Sequence, residues 1–212
     1  MPRHPTRFTA LGNRFQEYYA PHRVYHPGVD YNFGPSPNAD LGQDIVAAAD
    51  GTVVYVSPAG TNGGLGLYVV MHHPDYGVWT RHMHLDAVFV VPGQFVKEGE
   101  RIAAVGNSGT TTAHDHFEVL NEKGLAFIRD WSRPYGRYPT GLSKQAVGSM
   151  WLDPVRWVET AKPVLPAWQV EARAWAEETG VIRSGWDAPG QPMSQVRVAA
   201  ALKNLHDLLK RA

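Results

Sequence analysis

The sequence predicts a mainly β fold, in which an antiparallel sheet is followed by a small C-terminal helical hairpin. Between Ile45 and Leu120, short runs of β-branched and aromatic residues alternate with turns rich in glycine and proline, a pattern typical of strands. The turns come too often to leave room for crossover helices, so neighbouring strands are expected to pair antiparallel. Near the C-terminus the apolar residues recur with a helical period instead.

Six strands are expected in the central region, most of them separated by turns that contain glycine or proline. They are Thr52–Ser57, Leu67–His72, Val78–His84, Val88–Val91, Arg101–Val105 and His116–Leu120. The segment from Gly124 to Ser149 shows no clear period, so we expect a long loop there, either a folded surface loop or one wall of a groove. Asp153 and Pro154 then open a short apolar stretch, which we expect to form a helix that closes the domain.

Three parts are predicted along the chain. Residues 1–161 form the main domain. Residues 162–166 contain two prolines and form a linker, because closely spaced prolines stiffen a chain and end regular structure. Residues 167–212 form the helical module, whose second helix begins at the N-cap residue Ser194.

The composition excludes several classes of function. Lys and Arg together number 20, as do Asp and Glu, so a nucleic acid, which needs a basic surface, is not an expected partner. The chain has no cysteine, which excludes disulfides, thiolate zinc sites and a cysteine nucleophile. Ten histidines are available for a metal. No membrane span and no secretory signal peptide are visible in the sequence.

The first candidate metal-binding segment runs from His26 to Asp30. Pro27 followed by Gly28 disfavours a helix there, but an extended or turning segment can still aim both side chains at one point. Imidazole and carboxylate are both ligands of zinc. Taken alone, such a pair is more often found in turns and on surfaces than at a metal.

Two His-x-His segments on predicted strands strengthen this interpretation. His114 and His116 flank Asp115, and His82 and His84 form a second pair. Because side chains alternate between the two faces of a strand, each pair is expected to share a face. Either a metal ion or a division between ligand and acid–base roles accommodates imidazoles placed so close together. Together with the first segment, the two pairs predict a metal site in the β region.

The order of these motifs resembles that of the M23 peptidases, the lysostaphin-like zinc endopeptidases of bacterial peptidoglycan. The resemblance extends over about residues 22 to 160. It rests on the segments His26–Tyr31, Ala48–Val53, His84–Leu85, Val91–Ile102, Gly106–Gly109 and His114–Glu118.

This resemblance implies a role for each of five residues. His26, Asp30 and His116 would bind one Zn²⁺ ion and leave a fourth position for water, as catalytic zinc sites do. His84 and His114 would be the catalytic residues, which exchange protons and stabilise the oxyanion. Which of these two histidines is the base stays open.

The chain departs from the family pattern at two positions. Asp115 stands where leucine is usual, and we expect it to face away from the metal and to pair with a neighbouring strand. His82 stands where tyrosine is usual, and we expect it to share the face of His84 and to line the cleft. Glu118 is expected either to accept a hydrogen bond from a ligand or to form a salt bridge. His73 adjoins Pro74 and is expected in a turn.

Three functions are considered for the chain, two within this family and one in another class of metallopeptidase. The first is a lytic endopeptidase of the endolysin type, which acts on the wall in the periplasm or outside the cell after release from a host cytoplasm. The second is a non-catalytic protein of the same fold that regulates another wall hydrolase. The third is a D-Ala-D-Ala carboxypeptidase. In each case peptidoglycan is the expected partner, and the C-terminal module is either a wall-binding unit or a packing appendage.

Overall fold

A computed structural model describes five parts of the chain, residues 1–7, 10–32, 36–60, 62–129 and 134–163. Met1–Lys162 forms one unit. The helical module expected at 167–212 lies outside the described residues and stays a prediction, as does the linker before it. No helix in the described ranges is both long enough and apolar enough to cross a membrane.

Strands dominate the described part of the chain. They are β1 (Ala10–Leu11), β2 (Tyr18–Tyr19), β3 (Val24–Tyr25), β4 (Val29–Asn32), β5 (Asp44–Val46), β6 (Gly51–Val56), β7 (Leu67–His73), β8 (Val78–Leu85), β9 (Ala87–Val88), β10 (Phe95–Val96), β11 (Arg101–Ala104), β12 (Asp115–Leu120) and β13 (Trp151–Leu152). The helices are α1 (Glu122–Ile128), α2 (Lys144–Met150) and α3 (Pro154–Thr160).

The strands form one large sheet and two small ones. In the large sheet the order is β1-β4-β12-β8-β7-β6-β10, and β13 pairs with β12. Its pairings are antiparallel, as are those of the small sheets β5-β11-β9 and β2-β3. The prediction of a mainly antiparallel β fold is therefore confirmed. The strand expected at Val88–Val91 is shorter than predicted and ends at Val88.

The register of β12 defines two faces of the large sheet. His116 lies opposite Asp30 on β4 and Met83 on β8, whereas Phe117 lies opposite Val29 and His82. Directly paired residues share a face, and successive residues alternate. We call the face of His116 the site face and that of Phe117 the back face. The back face packs against a buried apolar cluster that includes Trp157 and Val158 of α3.

The expected loop between Gly124 and Ser149 is partly helical, so this prediction was wrong at both ends of the segment. α1 and α2 are capped by Asn121 and Ser143, whose side chains accept hydrogen bonds from the N–H groups of Gly124 and Ala146. Each helix has seven residues, and two turns are too short for a period to be visible in the sequence. The closing helix after Asp153 is confirmed as α3, and Asp153 caps it.

His73 is not in a turn, as the adjacent Pro74 had suggested, but is fully buried at the end of β7. Its Nδ1–H donates to the carbonyl oxygen of Asp50 at 3.0 Å, and its Nε2 accepts from the hydroxyl of Thr80 at 2.9 Å. Both bonds fit a neutral ring. Burial lowers the pKa of His73 from 6.5 to about 4.

This burial predicts a loss of stability in acid. Because the unfolded chain binds a proton at His73 near pH 6.5 and the folded chain only near pH 4, the stabilisation is complete above about pH 6.5 and is lost as the pH falls toward 4. The lowered pKa corresponds to a change of roughly 3 kcal/mol in the free energy of unfolding. Urea unfolding at about pH 7.5 and about pH 4.5 should show a smaller acid-induced loss for His73→Phe than for the unmodified chain. Equal acid-induced losses of stability in the two proteins would show that His73 is not their source.

Candidate metal centre

Three buried side chains meet where β4 pairs with β12. His26 follows β3, Asp30 lies on β4 and His116 lies on β12, and none is more than 4% exposed. The turn at Gly28 lets the segment of His26 approach β12 closely, because a Cβ at Gly28 would collide with the carbonyl oxygen of Phe117. A glycine at this position is therefore a steric requirement of the site.

The potential ligand atoms form a nearly equilateral triangle. His26 Nε2 lies 3.1 Å from Asp30 Oδ1 and 3.0 Å from His116 Nδ1, and His116 Nδ1 lies 2.9 Å from Asp30 Oδ1. In a tetrahedral zinc site with bonds near 2.0–2.1 Å, neighbouring ligand atoms are about 3.3 Å apart. An expansion of a few tenths of an ångström would therefore fit the triangle to a zinc ion. Within the described residues this is the group of His and carboxylate side chains suited to a metal ion.

Hydrogen bonds between the triangle and its surroundings fix the orientation of each of the three side chains. His26 Nδ1–H donates to the carbonyl oxygen of Gly28 at 2.8 Å, and His116 Nε2–H donates to Glu118 Oε1 at 3.2 Å. Asn13 Nδ2–H donates to Asp30 Oδ2 at 2.6 Å. With these protons on the outer atoms, one atom of each side chain is left to bind a cation, which is the arrangement expected around a metal.

The electrostatic environment of the triangle favours positive charge. Burial alone would raise the pKa of Asp30, but hydrogen bonds from His116 and His26 outweigh it and hold that pKa well below its usual range. Burial alone would lower the pKa of His116, but hydrogen bonds with Asp30 and Glu118 raise it to about 9. A position between two carboxylates thus stabilises a cation, whether a proton or a metal ion.

His84 and His114 lie beside the triangle. Their rings are 4.6 Å apart between centroids, and the His84 ring is 6.0 Å from that of His116. Each Nδ1–H donates to a backbone carbonyl, that of Ser108 at 3.1 Å for His84 and that of Thr112 at 3.0 Å for His114. Both rings therefore keep Nε2 for proton exchange, and Nε2 of His114 is 3.8 Å from Asp30 Oδ1.

His84 is held in its neutral form. Burial, together with the neighbouring His114 and His116, lowers its pKa from 6.5 to about 3. A neutral imidazole has a lone pair that can accept a proton. The five residues that the sequence singled out, His26, Asp30, His84, His114 and His116, are thus together in one place.

His82 does not line this site, so that prediction was wrong. It lies opposite Phe117 on the back face, where its ring stacks on that of Phe117 at 4.7 Å. The expected alternation fails because His84, within β8, has a φ of +62°, at a point where the pairing of β7 with β8 shifts register. This irregularity turns the His84 side chain toward the site face. The expectation for Asp115 is confirmed, since it faces away from the triangle and pairs with His82 on β8.

A buried network connects the triangle to the segment after α1. Arg81 donates to both oxygens of Glu118 at 2.9 and 3.0 Å, and Trp151 Nε1–H also donates to Glu118 at 2.9 Å. The two Nη1–H groups of Arg81 donate to the carbonyl oxygens of Tyr135 and Arg137 at 2.7 and 3.3 Å. Both functions expected of Glu118, as hydrogen-bond acceptor for His116 and as salt-bridge partner, are therefore present.

Tyr138 is placed beside the metal centre by this network. Its ring is 6.1 Å from that of His116. Burial, together with the carboxylates of Glu118 and Asp30, raises the pKa of Tyr138 well above its usual value. The phenol therefore keeps its proton and is a hydrogen-bond donor.

Comparison with known proteins points to one family. The model of peptidase family M23 matches residues 24–127. Murein hydrolase activator NlpD of Salmonella dublin is 38% identical over 96 residues, which are 42% of this chain and 25% of that protein. Peptidoglycan DD-endopeptidase ShyB of Vibrio cholerae is 36% identical over 98 residues, which are 46% of this chain and 21% of that protein. The chain thus spans a quarter or less of the length of these two relatives.

A shorter relative is matched over most of its length. Lipoprotein NlpD of Yersinia enterocolitica is 39% identical over 79 residues, which are 37% of this chain and 77% of that protein. Among solved structures, the solution structure of lysostaphin aligns with a TM-score of 0.50 at 21% identity and covers 74% of this chain and 56% of that one. This likeness shows that the fold is lysostaphin-like. On the family match and these relatives together, the chain belongs to peptidase family M23.

Proposed function

We propose that this chain is a zinc-dependent endopeptidase that hydrolyses peptide bonds in bacterial peptidoglycan. The observation that carries the proposal is the triangle of His26, Asp30 and His116 with two further histidines at its side. A regulator of the same fold has no need for ligand atoms at zinc-like spacing together with two imidazoles that can exchange protons. All five side chains are present and lie together.

The donor set fits zinc, because two imidazoles and a carboxylate are typical ligands of catalytic zinc sites. When bound, zinc would polarise a peptide carbonyl and acidify a water molecule. The protein's contribution is to hold the three ligand atoms in place. Glu118 does so for His116, Asn13 for Asp30, and the Gly28 carbonyl for His26.

His84 and His114 are the proposed catalytic residues. A neutral imidazole with Nδ1–H bound to a carbonyl can accept the proton of an attacking water at Nε2. Once protonated, the same atom can donate a hydrogen bond to the oxyanion or a proton to the departing amine. The low pKa of His84, about 3, keeps this ring neutral, so that its Nε2 lone pair is free. The geometry lets either histidine accept the proton while the other stabilises the oxyanion.

The substrate class follows from the family and from one relative's name. ShyB is named a peptidoglycan DD-endopeptidase, and this chain shares part of its length. A lytic role of the endolysin type, in which the enzyme cuts stem peptides or cross-bridges, is the finer form of the proposal. Mass spectrometry of the fragments released from purified walls would identify the bond and would separate an endopeptidase from a D-Ala-D-Ala carboxypeptidase.

A second candidate function is activation of another wall hydrolase. Relatives named murein hydrolase activator favour it. The complete set of candidate ligands and catalytic histidines favours the enzyme, because an activator that only binds its partner requires no metal chemistry.

Replacement of His116 separates the enzyme from the activator. In His116→Ala we expect the zinc content to fall from one ion per chain to none, and wall hydrolysis to fall by roughly 10³-fold or more, because one of three ligands is lost. Zinc is measured by atomic absorption and hydrolysis by the release of new amino termini. His22→Ala is the control, because His22 is exposed and lies near the first ligand in the sequence.

Two outcomes would contradict the proposal. The first is that the zinc-loaded protein releases no amino termini from any wall preparation. The second is that His116→Ala loses zinc and still stimulates a partner hydrolase as well as the unmodified chain does. Either result would favour the activator.

Replacement of the two histidines beside the triangle tests their catalytic roles. His84→Ala and His114→Ala should each keep one zinc per chain and lower kcat by about 10²- to 10⁴-fold, the usual contribution of a general acid or base. Zinc content and kcat are measured on the same samples. Loss of zinc from either variant would assign that histidine to the metal instead.

A further inference from the structure

His82 and Asp115 form a buried pair behind the metal centre. His82 Nδ1–H donates to both carboxylate oxygens of Asp115, at 3.1 and 3.2 Å, and both side chains are 0% exposed. They are also the two positions at which the sequence departs from the usual pattern of the family. The structure therefore brings the two departures into direct contact.

The pair lies where the ladder between β8 and β12 ends. This ladder runs from the pair Trp79–Leu120 to the pair Met83–His116. Past this point β8 no longer pairs with β12: His84 has an irregular backbone with a φ of +62°, and His114 forms an isolated bridge with Gly106. Within the described residues, the backbone ladder thus stops before it reaches the two proposed catalytic histidines.

Side chains on the back face continue the connection between the two strands. Asp115 lies between His114 and His116 in the sequence, and His82 is two residues before His84. His82 is directly opposite Phe117, so its contact with Asp115 is a diagonal cross-strand pair. The contact therefore adds a polar link, behind the sheet, between the segment that carries His84 and the segment that carries His114 and His116.

Burial makes the two residues dependent on each other. In the part of the chain that the structure describes, His82 Nε2 has no hydrogen-bond partner, so Asp115 is the principal polar partner of the ring. Removal of one member of a buried pair leaves the other without compensation, whereas replacement of both by apolar residues of similar volume is often tolerated. The ring of His82 already stacks on Phe117, which suits a phenylalanine at this position.

We propose that His82 and Asp115 are positioning residues, which hold His84 and His114 at their working distance from the metal ligands through the contact behind the sheet. That His84 and His114 are catalytic rests on the proposed function. The contact itself acts on the geometry of the metal centre and does not depend on which substrate is cut.

A double-mutant cycle tests this proposal. The variants are His82→Phe, Asp115→Leu and the double variant, each measured for kcat and KM on wall peptides, for the visible absorption of the Co²⁺-loaded protein, and for thermal melting. Each single variant should lower kcat by about tenfold or more with little change in KM, because small displacements of catalytic groups are costly. Each should also alter the Co²⁺ spectrum. The kcat of the double variant should recover to within about threefold of the unmodified value, because the effects of substitutions at contacting residues are not additive.

Thr80→Val is the matched control. Thr80 is also buried, and its hydroxyl donates to His73 within the same large sheet. The control variant should lower the melting temperature and leave kcat and the Co²⁺ spectrum unchanged.

Two results would overturn the positioning role. The first is that the losses of kcat multiply, so that the double variant has a lower kcat than either single variant. The second is single variants that melt earlier and keep the unmodified kcat and Co²⁺ spectrum. Failure of the proposed function is distinguishable, because a protein without peptidase activity still gives a Co²⁺ spectrum in which the coupling of the two residues can be measured.

Discussion

The site depends on one pairing, that of β4 with β12, which places His116 directly opposite Asp30. Directly opposed residues of an antiparallel pair have their Cβ atoms about 5 Å apart on the same face, which brings an imidazole and a carboxylate within reach of one ion. His26 joins them because Gly28 allows its segment to lie against the carbonyl of Phe117. A slip of one residue in this register would turn His116 to the back face and remove the centre altogether.

Burial gives this centre its chemical character. Two carboxylates next to His116 raise its pKa against the effect of burial, whereas burial and the neighbouring His114 and His116 lower the pKa of His84 and keep it neutral. Opposite tendencies in neighbouring imidazoles are consistent with the proposed division into metal ligands and residues that exchange protons. Glu118 is shared by His116, Arg81 and Trp151, so the orientation of His116, a proposed metal ligand, is connected to the segment that carries Tyr138.

Most of the sheet could be predicted from the sequence, because its strands are marked by β-branched runs and frequent turns. The five residues of the candidate site could be singled out because they lie in short motifs that resemble those of the M23 peptidases, and the fold brings them together. His82 could not be placed correctly, since the alternation rule holds only for regular strands and a left-handed backbone at His84 is not visible in the sequence. The helices α1 and α2 were missed because seven residues are too few for a period.

The residues that support the site were harder to recognise. Asn13 donates to Asp30 across 17 positions of sequence, and nothing in the local pattern around Asn13 indicates this contact. Arg81 is a charged residue within a buried strand, where charged side chains are rare unless they are paired. That burial could have suggested a partner such as Glu118, but the carbonyl oxygens of Tyr135 and Arg137 could be identified only from the fold.

X-ray absorption at the zinc edge tests the central claim most directly, because it measures the ligands of the bound ion without reference to a substrate. The unmodified chain should contain one zinc with two imidazole nitrogens and oxygen ligands at about 2.0–2.2 Å. A spectrum with a different number of imidazoles, or a folded protein that takes up no zinc from a metal-buffered solution, would contradict the account.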